Sequence, residues 1–332
     1  MQTETCPLHI GADVAKDEIV VACEEQYFAP HAIDNRRSTL TTFLKAVPPG
    51  SQIGMESTGS HHELFATLAH KMGFVVFMLN PKDTRHYAKA MGLRGKTDRV
   101  DAKLIARFVD REHAKLHAWI PPTPEQRQLG RLLRRRAKLS TIKAALVQSL
   151  QGLSGFSAEL KALRQRLQCV IVRIDAKIKA LIAASAERQQ AYTRLLSIPS
   201  VGSVVGSSIL IYLERMPFPD ADAFVAFSGL DPRPDDSGHR HGRRRLSKRG
   251  PSELRRLLYV AAMSAARTEA WKPIYRHYLA RGLPTTAALV ILARRIARTA
   301  WSMYTHKTTF DAQRITKQPS GQSTAPMADV KT

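Results

Sequence analysis

Cysteine is scarce: Cys6, Cys23 and Cys169 are the only three in 332 residues. That is too few for a disulfide framework, and their spacing forms no metal-ligand pair, so buried free thiols are the expected state. Long apolar runs are also missing. No stretch approaches the roughly 18 uninterrupted apolar residues of a membrane helix, and Met1 to Pro7 carry no basic-then-apolar leader pattern. The expectation is a cytoplasmic protein with no membrane partner. Acidic residues are in deficit over one part of the chain: residues 114–332 hold 14 Asp+Glu against 37 Lys+Arg, while residues 1–113 hold 14 of each. The whole net charge of +23 therefore belongs to the later two-thirds. A membrane surface could attract such a charge, but a polyanion held along an extended basic face is the commoner partner.

The neutral first part reads as an α/β domain over 1–113. Leu8 to Asp13, Ile19 to Ala22 and Gln26 to Ile33 have the pattern of a strand meander. A helix over 38–47, with Ser38 as a possible cap, ends at Pro48-Pro49-Gly50. A strand over 52–57 and a helix over 60–72 follow. Phe74 to Leu79 is a continuous apolar run suited to a central strand covered on both faces. Another short helix leads to Gly92. The order β-β-β-α-β-α-β-α, with a further helix from Asp98, describes a mixed sheet with helices on its faces and matches the ribonuclease H type of fold.

That order gives four acids a common meaning. Asp13 and Glu56 fall at the ends of two early strands. Asp98 and Asp101 stand at i and i+3 on one helical face, behind Thr97 as N-cap. Alone, the helical pair merely suits the positive end of a helix dipole. In a ribonuclease H type sheet, all four would meet on one edge. Four oxygen donors suit Mg²⁺ or Mn²⁺, which can stabilise the attacking and leaving oxygens of a phosphodiester. Asp17, Glu18, Asp34, Glu63 and Asp110 fit solvated positions better.

After Pro121-Pro122-Thr123-Pro124, apolar residues recur at spacings of three and four from Leu129 to Leu181, interrupted only at Gly152 to Gly155. Residues 114–190 thus read as a basic helical hairpin or coiled coil. It is a spacer or oligomer seam whose Arg134 and Arg135 could also track phosphates. Residues 191–310 read as a mainly α domain. Ile198-Pro199-Ser200-Val201-Gly202 is similar to a helix-hairpin-helix turn with serine where glycine is usual. Residues 231–238 read as loop, residues 237–256 carry eight Lys+Arg against Glu253 alone, and helices are expected over 252–266, capped by Ser252, and 285–304. Residues 311–332 lack apolar spacing and are expected to be disordered.

Gly11-Ala12-Asp13, Glu56-Ser57-Thr58-Gly59, Asn80-Pro81, Lys96-Thr97-Asp98 with Asp101-Ala102, Ile198-Pro199, Gly229-Leu230 with Pro232-Arg233, and Ser237-Gly238 through Ser247-Lys248-Arg249-Gly250 occur in that order. Together they resemble the insertion-sequence transposases that join a RuvC-like DEDD domain to a serine-bearing transposase domain, the bridge-RNA-guided recombinases. The resemblance implies that Asp13, Glu56, Asp98 and Asp101 bind Mg²⁺ or Mn²⁺. It further implies that Ser237 attacks DNA to form a covalent phosphoserine link. Donor and target DNA, a structured noncoding bridge RNA and a homo-oligomer, dimer or tetramer, are the implied partners. In the family, the metal site of one subunit meets the serine of another.

The chemistry of the residues agrees with that role for Ser237. A serine hydroxyl is a weak nucleophile, which needs help losing its proton and positive groups around the charged transition state. Arg240, Arg243, Arg244, Arg245, Lys248, Arg249 and Arg255 supply positive charge nearby. Without the resemblance, Asp-Asp-Ser-Gly is simply a turn, and Ser228, Ser247 and Ser252 compete locally. His239 and His241 lack a second ligand pair for zinc. His61 and His62 could support Glu56. Two other functions stay open: a metal-dependent Holliday-junction resolvase-like nuclease using water, and a non-enzymatic basic nucleic-acid scaffold.

Overall fold

The computed structural model describes residues 7–316 apart from 57, 58, 60, 94, 96, 234, 235, 238, 239 and 242–244. The chain divides into two compact units, Met1–Pro122 and Thr123–Thr332. The first begins with an antiparallel meander of β1 (His9–Val14), β2 (Glu18–Cys23) and β3 (His31–Asp34). Expected over 26–33, the third strand starts later because Gln26 turns the chain at a φ of 57°. Then come α1 (Arg37–Ala46), β4 (Gln52–Glu56), α2 (Glu63–Lys71), β5 (Val75–Leu79), α3 (Pro81–Ala90) and α4 (Asp98–Glu112). The mixed sheet has the order β3-β2-β1-β4-β5, with β4 parallel to both β1 and β5.

Side-chain alternation divides this sheet cleanly. Ile10, Ala12, Val14, Ile53 and Met55 pack on one face with Leu40 and Leu44 of α1 and Phe65 of α2. The opposite face carries Val20, Ala22, Phe77 and Leu79 against Ala102, Ile105 and Val109 of α4. The apolar run 74–79 is an edge strand rather than a central one. Its pattern reports cover on both faces, not a place in the strand order, and Trp119 N–H donates to the Val76 carbonyl at 2.7 Å along its outer side.

The second unit is mostly helical. α5 (Pro124–Ser149) starts in a capping box formed by Thr123 and Gln126. It pairs with α6 (Ser157–Ala183) as an antiparallel hairpin: Arg136 meets Asp175 at 2.6 Å, and Lys143 meets Gln168 at 2.7 Å. Then follow α7 (Ala186–Leu196), α8 (Ser203–Arg215), α9 (Ala221–Ser228), α10 (Ser252–Ala265), α11 (Lys272–Ala280), α12 (Thr285–Thr305) and α13 (Ala312–Thr316). Leu129, Ile178 and Ile182 of the hairpin enter one core with Phe224, Leu258, Trp271 and Ile296. Arg188 and Glu214, mostly buried, join α7 to α8 through a 2.6 Å ion pair, and Arg188 also donates to the Leu181 carbonyl at the end of α6. The bond to Glu214 holds the Arg188 guanidinium above its ordinary value, against the opposing effect of burial.

Several local expectations change. Ser38 and Ser252 lie inside their helices, because the chain enters at Arg36 and Pro251, and neither helix has a side-chain cap. Cys23 is buried, but Cys169 is exposed on α6, and Cys6 lies outside the described residues. Residues 312–316 form a helical turn, with Arg295 donating to the Ile315 carbonyl at 3.1 Å. The expected disordered segment 317–332 falls outside the described residues.

Candidate active site

The acids of the first unit are arranged by two glycines. Gly11 and Gly54 are register partners on parallel β1 and β4, on the face under α4. A side chain on Gly11 would overlap the Ala102 carbonyl oxygen and the Ala106 nitrogen, and one on Gly54 would overlap Val109. Glycine in the strands and alanine at i and i+4 of the helix therefore let α4 lie directly on the sheet. Two residues beyond each glycine, and so on the same face, stand Asp13 and Glu56. They are one register step past the Ala12–Met55 pair.

The direction of α4 sets where Asp98 and Asp101 lie along β1. His113, just after α4, stacks on His9 at the start of β1 with 5.2 Å between ring centroids, and Ala102 and Ala106 lie over Gly11. The helix thus runs antiparallel to β1, and its first turn lies toward the end bearing Asp13. From the level of Gly11, Asp101 and Asp98 are about 4.5 and 9 Å back along the helix. Asp13 is about 6.6 Å along the strand, between those levels. Thr97 holds the turn by accepting the Val100 N–H at 3.3 Å.

The Thr84 hydroxyl of α3, buried, donates to Glu56 Oε1. Asn80 starts that helix by accepting the Lys82 N–H at 3.0 Å, which sets Thr84 under the strand end. The four carboxylates are hard oxygen donors of the type that fits Mg²⁺ or Mn²⁺, but, all being among the described residues, no three of them bring their ligand atoms within 4.8 Å of one another. Thr84, Gly54 and the packing role of Gly11 escaped the sequence reading. A usable signal existed in the repeated Gly-x-acid at two strand ends, Gly11-Ala12-Asp13 and Gly54-Met55-Glu56. Among the described residues, the ligand atoms of a different trio, His9, Glu25 and Asp110, lie within 4.8 Å of one another at the other end of β1. Asp110, expected in solvent, is only partly exposed there.

In the second unit, the segment read as loop is a ladder of two-residue strands. β6 (Pro232–Arg233) pairs with β9 (Arg245–Leu246), and β7 (Asp236–Ser237) pairs with β8 (Arg240–His241). Strands this short show no alternation, which hid them. Ser237 is the register partner of Arg240. Gly238, His239, Arg243 and Arg244 lie outside the described residues.

The root of the ladder is fixed to the helices. Ser247 donates its hydroxyl to the Asp231 carboxylate and its N–H to the Asp231 carbonyl, the latter at 3.0 Å. Arg255 donates to the carbonyls of Ser228 and Gly250, both at 3.3 Å, so this arginine supports backbone, and burial lowers its guanidinium from the ordinary value. Gly250 lies so close to Phe227 that any side chain would overlap the Phe227 carbonyl oxygen. Of the competing serines, Ser228 is fully buried and donates to the Val225 carbonyl, Ser247 is buried against Asp231, and Ser252 is exposed at the start of α10. Arg245, Lys248 and Arg249 are exposed near the ladder, as are Arg134 and Arg135 on α5. Ser200 takes the left-handed φ of 83° in the α7–α8 turn, where the sequence pattern calls for glycine.

An acid platform followed by a basic helical unit is the layout of an enzyme that acts on DNA, and comparison with known proteins identifies the class as transposase and recombinase. The chain belongs to the IS116/IS110/IS902 family of transposases: residues 10–154 match a DEDD transposase model of the IS110 type, and residues 192–278 match the "Transposase IS116/IS110/IS902 family" model. It is 25% identical to the "Probable family 20 transposase" of Pseudomonas aeruginosa over 91% of this chain and 98% of that protein. It is 26% identical to the "Pilin gene-inverting protein" of Moraxella lacunata over 77% of this chain and 81% of that protein. With the transposase of insertion sequence IS1328 from Yersinia enterocolitica, it shares 25% over 91% of this chain and 98% of that one. Among the described residues, no helix is long and apolar enough to cross a membrane.

Proposed function

We propose that this transposase cleaves and rejoins DNA through a covalent phosphoserine formed by Ser237, with Asp13, Glu56, Asp98 and Asp101 holding Mg²⁺ or Mn²⁺. What supports the metal half is a Gly-x-acid at the ends of adjacent parallel β1 and β4, with Asp98 and Asp101 in the first turn of the helix that packs over Gly11 and Gly54. When bound, the ion supplies charge stabilisation at the attacked phosphodiester. Asp13 and Glu56 serve as ligands from the sheet, Asp98 and Asp101 from the helix, and Thr84 orients Glu56. Ser237 Oγ attacks phosphorus and the DNA 3′ or 5′ oxygen leaves with a proton. Rejoining reverses the step, so bond energy is conserved without a high-energy cofactor. The basic residues beside the ladder, Arg240, Arg243, Arg244, Arg245, Lys248 and Arg249, neutralise phosphates.

The burial of Ser228 and Ser247 argues against those two as nucleophile and leaves exposed Ser252 as the local competitor of Ser237. Denaturing gels that trap protein–DNA adducts test the assignment. The expected result is an adduct that forms in wild type and in Ser247→Ala and is absent in Ser237→Ala. Full cleavage by Ser237→Ala would instead point to a nuclease in which water attacks, and the absence of any cleavage by wild type would point to a binding scaffold.

The finer reading adds a guide and an assembly. A structured noncoding RNA from the element pairs with donor and target DNA, supported by the excess of 23 positive charges in the later part of the chain. The protein works as a homo-oligomer, supported by exposed Leu163 and Val170, seven residues apart on α6 beside partly buried Leu160 and Leu167. Co-purification of a discrete RNA, and a mass above that of one chain in solution, are the expected findings.

A further inference from the structure

We infer that the first unit contains a second divalent-ion site, formed by His9, Glu25 and Asp110 and suited to a borderline transition ion of the zinc type. The ligands come from the start of β1, the turn after β2 and the last turn of α4, and their donor atoms all lie within 4.8 Å of one another. His9 Nδ1 is 2.6 Å from Glu25 Oε1 and 3.6 Å from Asp110 Oδ1. Tetrahedral zinc with ligands at about 2.1 Å separates neighbouring donors by about 3.4 Å. The Asp110 distance already meets that value, and the Glu25 distance needs to open by less than about 1 Å as the ion replaces the shared proton.

The surroundings hold the three donors in place. The His9 ring stacks on His113 at an interplanar angle of 29°, and His113 Nδ1 lies 3.0 Å from the Asp110 carbonyl oxygen. Asp110 gives its other oxygen, Oδ2, to Arg111 Nε at 3.1 Å, so Oδ1 faces His9. Both Glu25 oxygens accept the His9 backbone N–H at 3.0 Å, and the Cys23 thiol donates to Oε2 at 3.1 Å. The three ligand side chains are 18%, 33% and 26% exposed, which leaves a path for an ion without full hydration. Two carboxylates with a neutral imidazole balance a +2 ion, and the imidazole nitrogen favours zinc-type ions over magnesium. The site would fasten the β1 start to the end of α4, the joint opposite the four acids.

Cobalt(II) is the probe, used with the full-length Asp13→Asn/Asp101→Asn protein so that the proposed catalytic metal site does not contribute. One equivalent of Co²⁺ with visible d–d bands is expected. Zn²⁺ should displace it, and a large excess of Mg²⁺ should leave it in place. His9→Ala should abolish the bands, and Asp110→Asn should weaken Co²⁺ binding by more than about tenfold. No Co²⁺ uptake, displacement by Mg²⁺, or undiminished bands in His9→Ala would each overturn the site. Circular dichroism reports whether the variants fold; if His9→Ala does not, unchanged Co²⁺ affinity in Asp110→Asn overturns the proposal by itself. None of these readouts depends on strand exchange, so the serine mechanism and this site stand or fall separately.

Discussion

The two units fix their proposed reactive groups by opposite means. In the first, Asp13, Glu56, Asp98 and Asp101 are at the ends of long, regular elements, and their places follow from sheet register and from the contact of α4 with Gly11 and Gly54. In the second, Ser237 is on a two-residue strand, and its ladder is anchored at the root by Asp231, Ser247, Arg255 and Gly250. Carboxylates that share an ion need preset geometry, because misplacement weakens every ligand at once. The proposed nucleophile depends instead on a two-residue pairing carried by that anchored base.

That contrast can be broken most sharply at the serine itself. Ser237→Ala should lower strand exchange by more than about 10⁴-fold, by analogy with loss of other enzymatic nucleophiles, while unfolding of the protein is unchanged. Rate and melting measured on the same preparation check both halves. Next in size, Asp13→Asn or Asp101→Asn should lower cleavage by about a thousandfold, as loss of several kcal/mol of charge stabilisation implies. Cleavage that survives either change would remove the acids from the mechanism.

Gly11→Ala tests whether register and close approach hold the acid platform. The added methyl group would force α4 off the sheet, costing about 3 kcal/mol in denaturant unfolding and lowering metal-dependent activity as well. An ordinary unfolding midpoint in this variant would show that α4 does not depend on the contact. In the second unit, Arg188→Ala strands Glu214 and the Leu181 carbonyl and should cost about 2 kcal/mol, with little change in chemistry once the protein is folded. The smallest effect is expected at Thr84: Thr84→Val should weaken apparent Mg²⁺ affinity by about tenfold through Glu56, and Thr84→Ser should restore it.

Much of the first unit was legible in its residues. Apolar alternation, the Thr97 cap and the breaks at Pro48 and Gly73 mark nearly every element, and the strand-end acids and the i, i+3 pair on a helix are the residues on which the proposed metal site rests. The turn at Gln26, the edge place of β5 and the short strands around Ser237 were not legible. A positive φ at a non-glycine residue, a strand order and a two-residue pairing leave no periodic trace. Thr84 was hidden for another reason: its hydrogen bond joins residues 28 positions apart.

Sequence alone determined the division of charge between the two parts, the kinds of element and the residue types available for chemistry, since each depends on local composition and periodicity. Tertiary structure decided how the acid-bearing elements lie, because only the pairing of β1 with β4 and the seating of α4 on two glycines turn the first turn of α4 toward the strand end that bears Asp13. It also moved Asp110 from an expected solvated position to a place beside His9 and Glu25, a neighbourhood that depends on the antiparallel course of α4 over the sheet.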